Sequence, residues 1–351
     1  MIRVGLVGYG LAGQAFHAPT ICAVPGLELA CILERHGDLA QRKYPGVRVV
    51  RTLDELLADP EIRLCVVATP TPTHFELAER CLLAGRDVVV DKPFTTTSVK
   101  ALQLVELAEA RGRLLTVYQN RRLDGDFLTV QRLLSTGVLG RLVSYESHYD
   151  RYRPEQKPGT WREVAEPGSG TLYDLGVHSV DQAMVLFGKP RAISAHVFAQ
   201  RDGAVADDAF DVRFEYPGLV ALLRSSLLAA KPGPRYLLHG TKGTFIKYGM
   251  DPQEEPLRKG ASPGGPHWGE DPESRWGTLY FPDNDDTTKT EKIKTETGDY
   301  RRFYANVRDA IIQGAPLAVP ARDGVRTIRA IELAYRSSRE GRTIPWSDLD
   351  S

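Results

Sequence analysis

Residues 3–7, Arg-Val-Gly-Leu-Val, run straight into Gly8-Tyr-Gly10-Leu-Ala-Gly13, and this junction decides the fold. A short, mainly apolar strand meets a G-x-G-x-x-G turn, and a helix-like stretch follows. Each glycine has its own task in such a turn. Gly8 permits the tight bend, Gly10 lets backbone approach a pyrophosphate, and Gly13 lets the helix pack closely on the strand. Leu11 and Ala12 lie on the same turn, where amide groups and the helix dipole favour anionic phosphate. An incidental glycine turn is the competing reading, but the position between strand and helix in a βαβ unit favours a dinucleotide site. Pro19 falls inside the expected first helix, where it should kink or end it.

Outward from that turn, residues 27–33, 47–50, 64–68, 88–90 and 114–118 read as further strands. Thr52-Leu-Asp-Glu55 has the form of a capping box. Residues 74–84, closed by Gly85, and 98–111 carry helix patterning. Continuously apolar strands separated by helices predict a doubly wound parallel sheet, an α/β Rossmann domain over residues 1–120. After Asn120 the pattern changes. Helices are expected at 127–134 and 168–187, with strands at 142–152, 192–199, 210–216, 219–228, 236–239 and 244–248. Thr241-Lys-Gly243 is a plausible hairpin turn. This predicts an α+β second domain, 121–351, built on a mixed, mostly antiparallel, open-faced sheet. Residues 249–290, rich in Pro, Gly, Asp and Glu, read as a long surface excursion, and helices near 300–313 and 325–339 close the chain.

The 351 residues suffice for two domains. Forty-five basic residues balance forty-five acidic ones, so charge gives no case for nucleic acid or an anionic membrane. Cys22, Cys31, Cys65 and Cys81 form no CxxC pair, and Cys31 and Cys65, in strand-like apolar runs, are expected to be buried reduced thiols. No signal peptide is recognisable and no apolar run reaches the ~18 residues of a membrane helix, so a cytoplasmic protein is expected.

Several residues carry chemistry. Glu34 ends the second strand, where a carboxylate accepts hydrogen bonds from the ribose of NAD and repels the 2′-phosphate of NADP. Arg35, beside it, can pair with that phosphate. Both cofactors stay open, with Glu34 tilting the choice to NAD. Thr69-Pro70-Thr71-Pro-Thr-His74 ends the fourth strand and should flank the cofactor, with His74 opening the next helix. Asp91-Lys92-Pro93 ends the fifth, where Lys92 can stabilise charge developing on a substrate oxygen. In Gly168-Ser-Gly170-Thr-Leu-Tyr-Asp174-Leu-Gly-Val-His178-Ser-Val-Asp181, helical spacing brings Asp174, His178 and Asp181 within an arc of roughly 60° on an otherwise apolar helix. Such a stripe is either a structural network or a cleft wall.

Taken together, GYGLAG at 8–13, ATPTPTH at 68–74, DKP at 91–93 and GxLYDLGVHxxD at 170–181 resemble the Gfo/Idh/MocA family of nicotinamide-dependent oxidoreductases over essentially the whole chain. The family commonly has Glu-Lys-Pro where this chain has Asp91-Lys92-Pro93. Phe16-His-Ala-Pro19, Asn120-Arg-Arg-Leu-Asp-Gly-Asp126, Glu146-Ser-His-Tyr-Asp-Arg151 and Asp251-Pro-Gln-Glu-Glu255 look like its scyllo-inositol dehydrogenase branch. The resemblance implies that Lys92, Asp174 and His178 are the catalytic residues and meet at the nicotinamide. It also implies that Asp91 and Asn120 border the cofactor, that Trp161 and Arg162 close over it, and that Tyr152 and Tyr236 line a sugar pocket. The implied activity is reversible oxidation of a secondary alcohol on a cyclic polyol, sugar or sugar derivative, without a metal, in a homodimer or homotetramer joined through the second domain's sheet. Two other outcomes fit the same motifs: a cofactor-binding redox or metabolite sensor, and an NAD-dependent glycosidase.

Overall fold

The computed structural model describes residues 1–157, 159–283 and 287–349. Two compact units divide the chain: 1–123 with 253–268 and 299–326, and 124–252 with 269–298 and 327–351. Segments 253–268 and 299–326, assigned to the second domain by sequence, thus pack with the first unit.

In the first unit, β1 (Ile2–Val7), β2 (Leu27–Leu33), β3 (Arg48–Val50), β4 (Ile62–Val67), β5 (Asp87–Val90) and β6 (Leu115–Val117) form one sheet in the order β3-β2-β1-β4-β5-β6. Every neighbouring pair is parallel. Val4, Leu6, Leu64, Val66 and Val89 are fully buried, as strands covered on both faces must be. Phe303, Tyr304 and Val307 from the helix Arg301–Gln313 join this core. The first helix copes with Pro19 by a change of pitch. Residues Gly13–His17 form a π-helical turn, and Pro19 falls in the first turn of Ala18–Cys22, where its missing N–H is least harmful. All four cysteines are free thiols, Cys22 exposed and the others buried.

The second unit carries β7 (Leu142–His148), β8 (Ala192–Phe198), β9 (Ala209–Tyr216), β10 (Leu219–Ser226), β11 (Tyr236–Gly240), β12 (Thr244–Lys247), β13 (Gly277–Pro282), β14 (Thr288–Ile293) and β15 (Ile344–Pro345). Their order is β14-β13-β12-β11-β7-β10-β9-β8-β15. Only β7 and β10 run parallel. The expected surface excursion at 249–290 is corrected: Glu254–Arg258 is helical, and β13 and β14 extend the sheet. A buried ion pair, Lys247 Nζ to Asp271 at 2.6 Å, anchors the returning chain. β14 hid from the sequence reading because five of its six residues are exposed, as befits a charged edge strand.

Candidate active site

The glycine turn of the first unit is packed on one side and open on the other. Gly8 has φ of 103°, and a Cβ there would lie 2.7 Å from the Ala68 carbonyl. A Cβ on Gly13 would lie 2.4 Å from the Gly8 carbonyl, whereas one on Gly10 would meet nothing within 4 Å. Leu11, 51% exposed, begins a helical run that continues to Cys22. The open space before Gly10 and the amides of Leu11 and Ala12 therefore fit the pyrophosphate of a dinucleotide.

Glu34 ends β2 but is not presented to solvent. It is buried, and its two carboxylate oxygens accept the Leu39 and Ala40 N–H groups at 3.2 and 3.1 Å. Arg35 beside it is exposed and makes no ion pair among the described residues. Arg51 donates to the Glu34 carbonyl at 2.6 Å. In the loop after β4, Thr69 and Thr73 share a hydroxyl hydrogen bond of 2.7 Å, Thr71 is buried and Pro70 is exposed. His74 is fully buried, with Nδ1 2.9 Å from the Pro93 carbonyl and Nε2 2.8 Å from the Thr69 carbonyl. It braces the β4 and β5 loops and has no exposed ring atom. Burial pushes its pKa below the ordinary imidazole value, against Asp91 and the backbone carbonyls. A neutral ring then donates to only one of its two carbonyls.

Asp91 and Lys92 follow β5 and are partly buried. Asp91 Oδ1 accepts the Lys92 N–H at 2.8 Å. Burial raises the Asp91 pKa, yet His17, Lys92 and His74 outweigh it and hold the carboxyl below its ordinary value. Asn120 is buried in the 3₁₀ turn Asn120–Leu123.

In the second unit the central helix also begins with a π-helical turn, Leu172–Gly176, before the α-helix Val177–Phe187. Its start is fixed by Asp207, whose carboxylate accepts the Leu172 N–H at 2.8 Å. Gly170 has φ of 83°, and a Cβ there would lie 2.0 Å from Asp207 Oδ1, so glycine is required. His178 and Asp181 are buried, while Asp174 is partly exposed and pairs with Arg162 at 3.1 Å. The helix thus presents one accessible carboxylate and an imidazole that is 4% exposed.

Tyr236, expected in the sugar pocket, lies in the interior. It is 0% exposed, its hydroxyl donates to Gln182 Oε1 at 2.8 Å, and it accepts from Arg235 at 2.8 Å. Burial pushes its pKa well above that of an ordinary phenol. Tyr152, in contrast, is 60% exposed. Trp161 opens the short turn Trp161–Glu163, and its side chain lies outside the described residues. Sequence reasoning missed Tyr149. Its ring lies 5.8 Å from that of His178, and its hydroxyl accepts from Arg235 at 2.6 Å. The signal was available: alternation along 142–152 places Tyr145, Ser147 and Tyr149 on one buried face. Among the described residues no group of three His, Cys, Asp or Glu side chains is arranged to hold a metal ion, and no helix is long and apolar enough to cross a membrane.

A dinucleotide turn on a 3-2-1-4-5-6 sheet, followed by a mixed sheet with a His–Asp helix, defines a two-domain nicotinamide-dependent oxidoreductase. Family comparison agrees. Residues 2–119 match the oxidoreductase family's NAD-binding Rossmann fold, and 131–346 match its C-terminal alpha/beta domain. The chain belongs to the Gfo/Idh/MocA oxidoreductase family and is a dehydrogenase or reductase acting on CH–OH groups. It is 41% identical over 343 residues to scyllo-inositol 2-dehydrogenase (NADP(+)) of Bacillus subtilis, covering 98% of this chain and 95% of the relative. An uncharacterised oxidoreductase of Escherichia coli is 42% identical over 98% of both chains. Among solved structures, one described as an oxidoreductase from Bacillus subtilis superposes with a TM-score of 0.95 at 40% identity, over 99% of this chain and 98% of that one. Another, from Yersinia pestis, gives 0.93 at 42% identity, over 99% of this chain and 98% of that one.

Proposed function

We propose that this enzyme interconverts a secondary alcohol and a ketone on a cyclic polyol of the inositol class, with NADP(H) as cofactor. The observation that carries the reading is the helix bearing both His178, a nearly buried imidazole, and Asp174, an accessible carboxylate held by Arg162 at 3.1 Å. The nicotinamide, when bound, supplies the hydride acceptor or donor. His178 takes or returns the hydroxyl proton, a task suited to imidazole chemistry near neutral pH. Asp174 holds a neighbouring hydroxyl or orients the ring, and Lys92 stabilises charge on the reacting oxygen. Tyr152, exposed on the second unit, is available to a sugar-like ligand.

The inositol class is supported by full-length similarity to the scyllo-inositol enzyme. NADP is supported by Glu34 and Arg35. Glu34, which tilts the bare sequence toward NAD, is buried against two backbone amides, and the cation beside it is exposed and unpaired among the described residues. A 2′-phosphate gives that guanidinium a charge-assisted, bidentate partner. The test is a panel of inositols, aldoses and sugar acids assayed with each cofactor by nicotinamide absorbance, using wild type and Arg35→Ala. Wild type should turn over an inositol with NADP, and Arg35→Ala should lower kcat/KM for NADP about 10–100-fold while sparing NAD, the loss of one charge-assisted contact. Preference for NAD in wild type, or equal losses with both cofactors, would refute the NADP assignment; turnover of aldoses alone would refute the inositol assignment.

A further inference from the structure

His17 is part of neither the glycine fingerprint nor the catalytic set, yet it occupies a singular position. It is the last residue of the π-helical turn Gly13–His17, on the helix that the glycine motif opens. Its side chain is 0% exposed, and its ring lies 4.3 Å from that of Tyr118. Nδ1 is 2.6 Å from the Tyr304 hydroxyl, and Nε2 is 3.6 Å from Asp91 Oδ1. That same Oδ1 accepts the Lys92 N–H at 2.8 Å. Apart from Asp91, Tyr304 and Tyr118, the titratable neighbours of this chain are Lys92 and His74, which act on Asp91.

Hydrogen-bond capacity orders the protons. At 3.6 Å the approach of Nε2 to Asp91 is an electrostatic contact rather than a hydrogen bond, and an Nε2–H facing that acceptor-only carboxylate leaves Nδ1 to accept the Tyr304 O–H. The resulting line of contacts runs from Tyr304 through His17 and Asp91 to the backbone of Lys92.

We propose that His17 is a positioning residue: by holding the Asp91 carboxylate it fixes the backbone from which Lys92 projects, tying the phosphate-binding helix to the reacting lysine. The proposal rests on the reading of Lys92 as the group that stabilises the reacting oxygen.

Two measurements test it. The first is long-range 15N-histidine NMR of the cofactor-free protein, in which His17→Gln identifies the resonance. His17 should be the Nε2–H tautomer, and Asp91→Asn should shift its ring nitrogens; an Nδ1–H tautomer, or a ring indifferent to Asp91→Asn, overturns the proposal. The second is steady-state kinetics of His17→Phe, His17→Gln and Tyr304→Phe beside Lys92→Met, with the alcohol that the panel identifies. His17→Phe should lower kcat about 10–100-fold with KM for cofactor nearly unchanged, the scale of a misplaced catalytic group. His17→Gln, which restores a donor toward Asp91, should recover most of that loss. Should His17→Phe fail to fold, Tyr304→Phe, lacking only the hydroxyl, should still lower kcat several-fold. Loss of turnover in Lys92→Met with wild-type kcat in the His17 and Tyr304 variants refutes the positioning role alone. Wild-type kcat in Lys92→Met refutes the reading of Lys92 and the positioning role together.

Discussion

A guanidinium enclosed in a protein interior needs partners, and Arg235 meets hydrogen-bond acceptors with its two Nη groups while its Nε faces a carboxylate. It donates to Ser147, Tyr149, Gln182 and Tyr236 at 2.6 to 3.0 Å, stacks over the Tyr149 and Tyr236 rings, and faces Asp126 at 3.4 Å. Tyr236 therefore serves a buried cation. Removing its hydroxyl should destabilise the fold by about 1–3 kcal/mol, the cost of leaving part of a buried charge unmet, with KM for substrate unchanged. Thermal denaturation and steady-state kinetics of Tyr236→Phe check this; a raised KM at unchanged stability would return Tyr236 to the pocket. At this scale a motif names residue types and not their surroundings. The positive φ at Gly8 and the close approach at Gly13 are what their spacing implied, because both are set by backbone. The burial of Tyr236 and His74 is not written locally, because it depends on chain far away in sequence.

Two helices carry the chemistry-bearing motifs, and both contain a π-helical turn, Gly13–His17 and Leu172–Gly176. Nothing in a hydrophobic pattern signals an added residue per turn, so an angular estimate made at α-helical pitch is only a guide. Strand registers were easier. β2 spans Leu27–Leu33, as its apolar run predicts, and Thr52 caps its helix by accepting the Glu55 N–H at 3.2 Å. The helix Glu254–Arg258 was hidden in charged, proline-rich sequence, and the Arg121–Glu254 ion pair joins it to the 3₁₀ turn Asn120–Leu123. Burial raises the Glu254 pKa, but Arg121 and Arg258 outweigh it and bring it from 4.5 to about 2. A depressed carboxylate pKa contributes stability above the unfolded-state value, and that stability is lost as pH falls through the folded-state value. The linked contribution, about 3 kcal/mol at most, should therefore disappear between about pH 5 and pH 2. Melting temperatures followed across that window should fall less steeply in Glu254→Gln than in wild type; parallel slopes would contradict the assignment.

At the scale of the whole molecule, the class of fold was legible and the path of the chain was not. The parallel doubly wound sheet follows from apolar runs alternating with helices, and the structure supplies its order, β3-β2-β1-β4-β5-β6. The return of 253–268 and 299–326 to the first unit depends on contacts such as the Arg121–Glu254 ion pair and Arg308 donating to the Pro25 carbonyl at 2.7 Å, which no local pattern encodes. The candidate site divides in the same way: the glycine turn, Lys92, Asp174 and His178 stood out by spacing and resemblance, whereas Tyr149, Asp207 and His17 gain meaning only from what they touch. The account as a whole depends on one proton-transfer assignment, and the most direct measurement is turnover and cofactor binding of His178→Ala side by side. Turnover should fall about 10²–10⁴-fold while cofactor affinity, read from fluorescence titration, stays at the wild-type value. Wild-type turnover, or a matching loss of cofactor affinity, would contradict it.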